Sequence, residues 1–195
     1  NQETFACPSA AGGRNYDHSS YSPRTKFWYN IGWEICNSIK PQKQEVVEGQ
    51  PLFGGSMEFK PPKDKPAYGH INAFDPLTGE RKWRYLTRYM NVASLLSTGG
   101  DLVFSGDVIG EAFALDATTG TKLWAFNVGA GMSGSPISYA VNGRQYIAIP
   151  TGMGSLVGGL TSLIWPESAN KMPERASTLV VFALPEAKGA TGASK

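Results

Sequence analysis

The sequence predicts an all-β chain built from four-stranded propeller blades. Three observations carry that prediction: an internal repeat of blade length, a composition rich in turn residues, and short segments of alternating polarity. The repeat is the strongest of them. Gly69-His70-Ile71-Asn72-Ala73-Phe74-Asp75-Pro76-Leu77-Thr78-Gly79-Glu80-Arg81-Lys82-Trp83 aligns without gaps on Gly110-Glu111-Ala112-Phe113-Ala114-Leu115-Asp116-Ala117-Thr118-Thr119-Gly120-Thr121-Lys122-Leu123-Trp124, an offset of 41 residues. A period of that size, flanked by strand-like segments, suits one propeller blade rather than a helical repeat. The 23 glycines and 13 prolines set against 17% charged residues favour short strands and tight turns over long solvated helices.

The repeated unit has a local mechanism. Its alanine closes an alternating strand, its aspartate accepts main-chain N–H bonds across the turn, and Thr-Gly ends the turn with glycine free to take φ > 0. Trp83 and Trp124 then fall on the following strand, where each is expected to wedge between adjacent blades and to give its indole N–H to a carbonyl. Alternation places further strands at Lys26–Ile31, Leu95–Thr98, Leu102–Ser105, Ile137–Ala140, Gln145–Ile149 and Thr178–Leu184. Val141-Asn142-Gly143-Arg144 is a hairpin turn, and Ser97-Thr98-Gly99-Gly100-Asp101 has the same purpose one blade earlier. Lys40–Pro66, with Pro41, Pro51, Pro61, Pro62 and Pro66, reads as an irregular excursion. Gly152–Gly159 has the glycine content to bring main-chain N–H groups near a ligand. Residues 1–186 are read as the folded unit and 187–195 as a flexible tail.

Composition narrows the function. A net charge of +2, without runs of like charge, argues against a nucleic-acid or membrane-surface partner. No stretch of 18 apolar residues occurs, and Asn1–Ala6 lacks the basic and apolar regions of a signal peptide, so any targeting signal is expected upstream. Cys7 and Cys36 are too few for a thiolate zinc site and form no Cys-x-x-Cys pair; they are one disulfide or two buried thiols. His18 and His70 have no partner at ligand spacing and read as structural or surface residues.

At Cys7-Pro8-Ser9-Ala10-Ala11-Gly12-Gly13-Arg14-Asn15, followed by Tyr21-Ser22-Pro23-Arg24-Thr25, the sequence resembles the pyrroloquinoline quinone (PQQ)-dependent alcohol dehydrogenases. The likeness runs from Phe5 to about Leu184 and takes in Thr98–Gly106 and Gly143–Ile149. Tryptophan-docking repeats also occur in non-enzymatic propellers that act as protein-binding scaffolds, whereas the Cys-Pro-Ser-Ala segment with its asparagine is specific to the dehydrogenases. The resemblance implies the C-terminal blades of an eight-bladed propeller, with PQQ and a calcium or lanthanide ion on its axis. It implies a periplasmic oxidoreductase in which a small alcohol gives a proton to an aspartate base and hydride to the quinone. The metal would act as a Lewis acid, and electrons would pass to a cytochrome c-type acceptor.

Carried over by position, Asn15 matches the asparagine whose amide bonds the cofactor, a task suited to a group that both donates and accepts. Ser155 and Leu156 match a loop whose main chain reaches PQQ, although family members often carry Gly and Trp there. Val92 stands where methanol-oxidising members place a pocket tryptophan, which leaves room for a bulkier substrate, and Asn91 beside it offers a polar contact instead. Cys7 and Cys36 match the two cysteines that pair in this family. The catalytic aspartate and the metal ligands are expected upstream, so Asp75, Asp101, Asp107 and Asp116 are not assigned to those roles. The expected partners are the remaining blades, on the same or a second polypeptide, and a homodimer is compatible with the reading.

Overall fold

The computed structural model describes residues 2–50, 52–154, 159–172 and 177–184, and their regular secondary structure is almost wholly strand. The first four-stranded sheet contains β2 (Ser20–Ser22), β3 (Phe27–Glu34), β6 (Tyr68–Phe74) and β7 (Arg81–Thr87), in that spatial order. The second repeats the plan with β8 (Leu96–Ser97), β9 (Leu102–Gly106), β10 (Glu111–Asp116) and β11 (Lys122–Asn127). A third sheet has three strands, β12 (Ile137–Val141), β13 (Arg144–Pro150) and β14 (Leu179–Ala183). All pairs within these sheets are antiparallel, as propeller blades require.

The repeat unit folds twice in the same way. Asp75 Oδ1 accepts from the Leu77 N–H, and Asp116 Oδ1 accepts from the N–H groups of Thr118 and Thr119. The main-chain N–H of Gly79 returns to the Asp75 carbonyl, and that of Gly120 to the Asp116 carbonyl. Both glycines take the left-handed conformation, φ 73° and 74°, which a Cβ disfavours. Even the register shift recurs, at Ala73/Phe74 and at Ala114/Leu115. The Asn142-Gly143 turn has φ 50° and 77°, as a hairpin of its type needs, whereas in the loop before β9 the positive φ falls on Asp101 rather than on its glycines.

Alternation along each strand builds two cores. Tyr29, Ile31, Trp33, Ile71, Ala73 and Trp83 from the first sheet meet Val103, Phe113 and Leu115 from the second. Ala112, on the opposite face of β10, joins Met132, Ile147 and Ile149 between the second and third sheets. The middle sheet is therefore packed on both faces. Trp83 seals the first boundary: its Nε1 donates to Ala117 O at 3.0 Å, and its ring lies where a Cβ on Gly120 would be, 2.6 Å from the nearest ring atom. Trp124 packs edge-on against Phe182 at 4.9 Å across the second boundary.

The stretch expected to be irregular is partly regular. β4 (Cys36–Pro41) and β5 (Gly55–Lys60) pair with each other, and β1 (Thr4–Ala6) adds to β4, giving a separate three-stranded ribbon. It leaves the first sheet between β3 and β6. The equivalent connection is four residues in the second sheet, Asp107 to Gly110, and a long excursion with helix α1 (Thr161–Ile164) in the third. Antiparallel order puts all three connections at one end, and the two long ones meet there. Trp165 Nε1 donates to Ala67 O at 3.2 Å, Trp165 meets the Tyr89 ring edge-on at 5.8 Å, and Arg88 pairs with Glu167 at 2.8 Å. The tail at 187–195 lies outside the described residues.

Candidate functional site

The loop carrying Asn15 lies at this same end, entering the short strand β2. Cys7 and Cys36 are bonded, closing a loop with a sequence separation of 29. Main-chain bonds continue the attachment: Ser9 N donates to Ile35 O at 2.8 Å, and Trp33 N donates to Gly13 O at 2.9 Å. The indole of Trp33 donates to Gly12 O at 2.8 Å, and Ala10 N donates to Asn37 Oδ1 at 2.8 Å. The loop is thereby held flat on β3. Gly32 permits this packing, because the His70 ring occupies the space that a side chain there would need.

From this support Arg14, Asn15 and Tyr16 stand exposed. Asn15 Oδ1 accepts from the Tyr16 N–H at 2.9 Å, while its Nδ2 reaches Ala11 O only at 3.5 Å, a weak bond. Its amide therefore caps its own loop and keeps donor capacity free. His18, read from sequence as a structural or surface residue, has a hydrogen-bond partner 117 residues away: its Nδ1 lies 3.1 Å from Ser135 Oγ. Its main chain also bonds Ser94 Oγ and the Leu95 N–H, so it links the inner ends of all three sheets. No local pattern in the sequence signals that junction.

Asp17 is turned inward. Its side chain is 2% exposed and neither carboxylate oxygen finds a donor among the described residues. Burial pushes its carboxyl up to about 6, against the opposing pull of its own main-chain N–H dipole and of the Arg14 and His18 charges. The surface offered by residues 14–18 is consequently a guanidinium, an amide, a phenol and an imidazole, with the one acid withdrawn.

Of the other predicted positions, Val92 is 1% exposed and belongs to the main core. Asn91 is fully buried and used internally, donating to Ser105 Oγ and accepting from the Ala93 N–H. Ser155 and Leu156 lie outside the described residues. Asp75, Asp107 and Asp116 hold turns through main-chain N–H groups, and Asp101 forms a two-point pair with Arg24 at 2.8 and 2.9 Å. Among the described residues no group of three or more His, Cys, Asp or Glu side chains is placed to hold a metal ion, and no helix is long and apolar enough to cross a membrane. The donor set at Arg14, Asn15 and His18 fits an anionic quinone with ring carbonyls and carboxylates, as expected of PQQ, and is unsuited to a metal cation.

The chain is similar to known proteins over most of its length. Residues 85–147 match the family described as glucose/ethanol/alcohol dehydrogenase, beta-propeller domain, of the PQQ type. Methanol dehydrogenase (cytochrome c) subunit 1 of Methylobacterium organophilum is 36% identical over 157 residues, covering 78% of this chain and 25% of that protein. The lanthanide-dependent methanol dehydrogenase of Methylorubrum extorquens is 30% identical over 153 residues, covering 78% of this chain and 26% of the relative. The chain thus spans about a quarter of the length of these curated relatives. Among solved structures, a europium-containing methanol dehydrogenase superposes with a TM-score of 0.84 at 25% identity, covering 94% of this chain and 35% of its own.

Proposed function

Because the chain belongs to the PQQ-dependent alcohol dehydrogenase-like family, we propose that it supplies C-terminal blades to a periplasmic quinoprotein that oxidises an alcohol. PQQ with a calcium or lanthanide ion supplies the two-electron oxidation when bound, and a cytochrome c-type protein takes the electrons. The observation that carries this reading is the Asn15 loop, fixed on β3 by the Cys7–Cys36 bond and presenting free polar donors at the end where the long connections gather.

In this reading Asn15 swings its amide from its own turn to a polar edge of the cofactor. Val92 forms the apolar floor behind that site, and Ser155 and Leu156, which match the family's cofactor loop, also contact the cofactor. The proton-accepting aspartate and the metal ligands come from the rest of the enzyme. So do the missing blades: Ile137, Val141, Leu179 and Val181 leave one face of the third sheet open, at 45–64% exposure, as a surface for the next blade.

The test is PQQ titration of the cofactor-free complete protein, wild type against Asn15→Ala. The variant leaves a cofactor oxygen without its donor and should bind about ten- to hundred-fold more weakly, with an unchanged cofactor-free melting temperature. Equal affinities remove Asn15 from the site. A wild-type protein that takes up no PQQ and shows no quinone absorption is a scaffold propeller instead.

A further inference from the structure

Arg14 is exposed, yet its guanidinium is held in place at two points. Nη2 donates to the Asp17 main-chain carbonyl at 2.8 Å, and Cζ lies 5.8 Å from the centroid of the Trp28 ring. The main chain beneath it is fixed by the bonds of Gly12 and Gly13 to Trp33. Little freedom is left for the side chain to lose on binding.

What it lacks is a salt bridge. Arg24 and Arg88, equally exposed, are neutralised by Asp101 and Glu167 at 2.8 Å. Arg14 forms no ion pair among the described residues, and the one acid beside it, Asp17, has its carboxylate buried. A planar fork with five donors, one of them used, is thus presented beside Asn15 with no acid in salt-bridge contact among the described residues. That geometry suits two-point binding of a carboxylate, which an ammonium group could not match.

We propose that Arg14 binds a carboxylate of the cofactor, so that the Arg14-Asn15 pair recognises PQQ by its acid groups as well as by its ring carbonyls. The inference rests on the reading of the Asn15 loop as part of the cofactor site. Trp28 and the Asp17 carbonyl then act as the rest on which the guanidinium waits.

The experiment is equilibrium titration of the cofactor-free complete protein with PQQ and with its trimethyl ester, followed by fluorescence quenching. Wild type is compared with Arg14→Gln and Arg14→Met; the methionine keeps an aliphatic stem over Trp28 if the glutamine variant folds poorly. Both variants should lose about ten- to hundred-fold in PQQ affinity. Added salt should weaken wild type more than either variant. With the ester, which has no free carboxylate, the difference between wild type and variants should vanish. Variants that bind PQQ as tightly as wild type overturn the proposal, as does a loss that persists undiminished with the ester. A wild-type protein that binds no PQQ overturns the reading of the site itself and the proposal with it.

Discussion

The indole Nε1 of Trp83 donates to the carbonyl of Ala117 at 3.0 Å across the boundary between two sheets, and Tyr29 donates its hydroxyl to the same oxygen at 3.0 Å. One carbonyl at the end of the second sheet's β10 thus accepts from two strands of the first sheet, and the ring that delivers the indole fills the space over Gly120. The docking tryptophan works because the next repeat offers a carbonyl and a bare Cα at a fixed spacing.

Two glycines with the same backbone conformation separate docking from turn strain. At Gly79 (φ 73°) a Cβ meets nothing within 4 Å, while at Gly120 (φ 74°) it meets the Trp83 ring at 2.6 Å. Gly79→Ala should cost about 1 kcal/mol, the left-handed penalty alone. Gly120→Ala should cost about 1–3 kcal/mol more, because the ring must move. Chemical denaturation of the complete protein reads both, and equal losses would remove Trp83 as the cause.

How far the sequence revealed this fold follows from which interactions are local. The Asp-x-x-Thr-Gly turns, the Asn142-Gly143 hairpin and the tryptophan four residues past each repeat glycine are set within a few residues, and all were legible. The ribbon of β4 and β5 was not, because proline content alone does not say where along a ladder each proline falls. Pro41 ends β4 beyond the pairing with β1, and Pro61, Pro62 and Pro66 fall between β5 and β6, so none of these four interrupts a ladder, while Pro51 lies outside the described residues. The site divides in the same way. Asn15 was found through its motif, but the buried Asp17, the Arg14 rest on Trp28 and the His18–Ser135 contact depend on chain segments brought together only by the sheets.

The disulfide links stability to that site. Opening it by Cys7→Ser with Cys36→Ser should destabilise the protein by about 3–4 kcal/mol, as expected for releasing a loop of this length in the unfolded chain. The segment from Ser9 to Gly13 keeps its bonds to Ile35 and Trp33, so cofactor affinity should fall less than stability does. Peptide mapping without reduction should show the two cysteine peptides joined. Free thiols at both positions, or a double variant as stable as wild type, would refute the expectation.

Asp17 and His70 should give the protein opposing pH dependences within one window. Burial holds the Asp17 acid up at about 6, whereas the unfolded carboxyl titrates near 3.8. The folded state therefore keeps this proton more tightly, and the associated stability is full below about pH 4 and lost as pH rises to about 6. His70 runs the other way. Its Nδ1 accepts from Asn72 Nδ2 at 2.8 Å, which leaves the ring proton on Nε2, 3.8 Å from Glu34 Oε1. Burial, and then the Arg84 charge, hold its imidazole down to about 4 from 6.5, with Glu34 opposing, so its stability is full above about pH 6.5 and lost as pH falls to about 4. Each effect amounts to as much as about 3 kcal/mol, and their opposite slopes largely cancel in wild type. Asp17→Asn should expose the histidine, making melting temperature fall more steeply than wild type on acidification from pH 6.5 to 4. His70→Gln should expose the aspartate, so that melting temperature falls as pH rises from 4 to 6. The double variant should recover a slope close to wild type, and single variants whose profiles run parallel to wild type would show that neither group is linked to folding in this range.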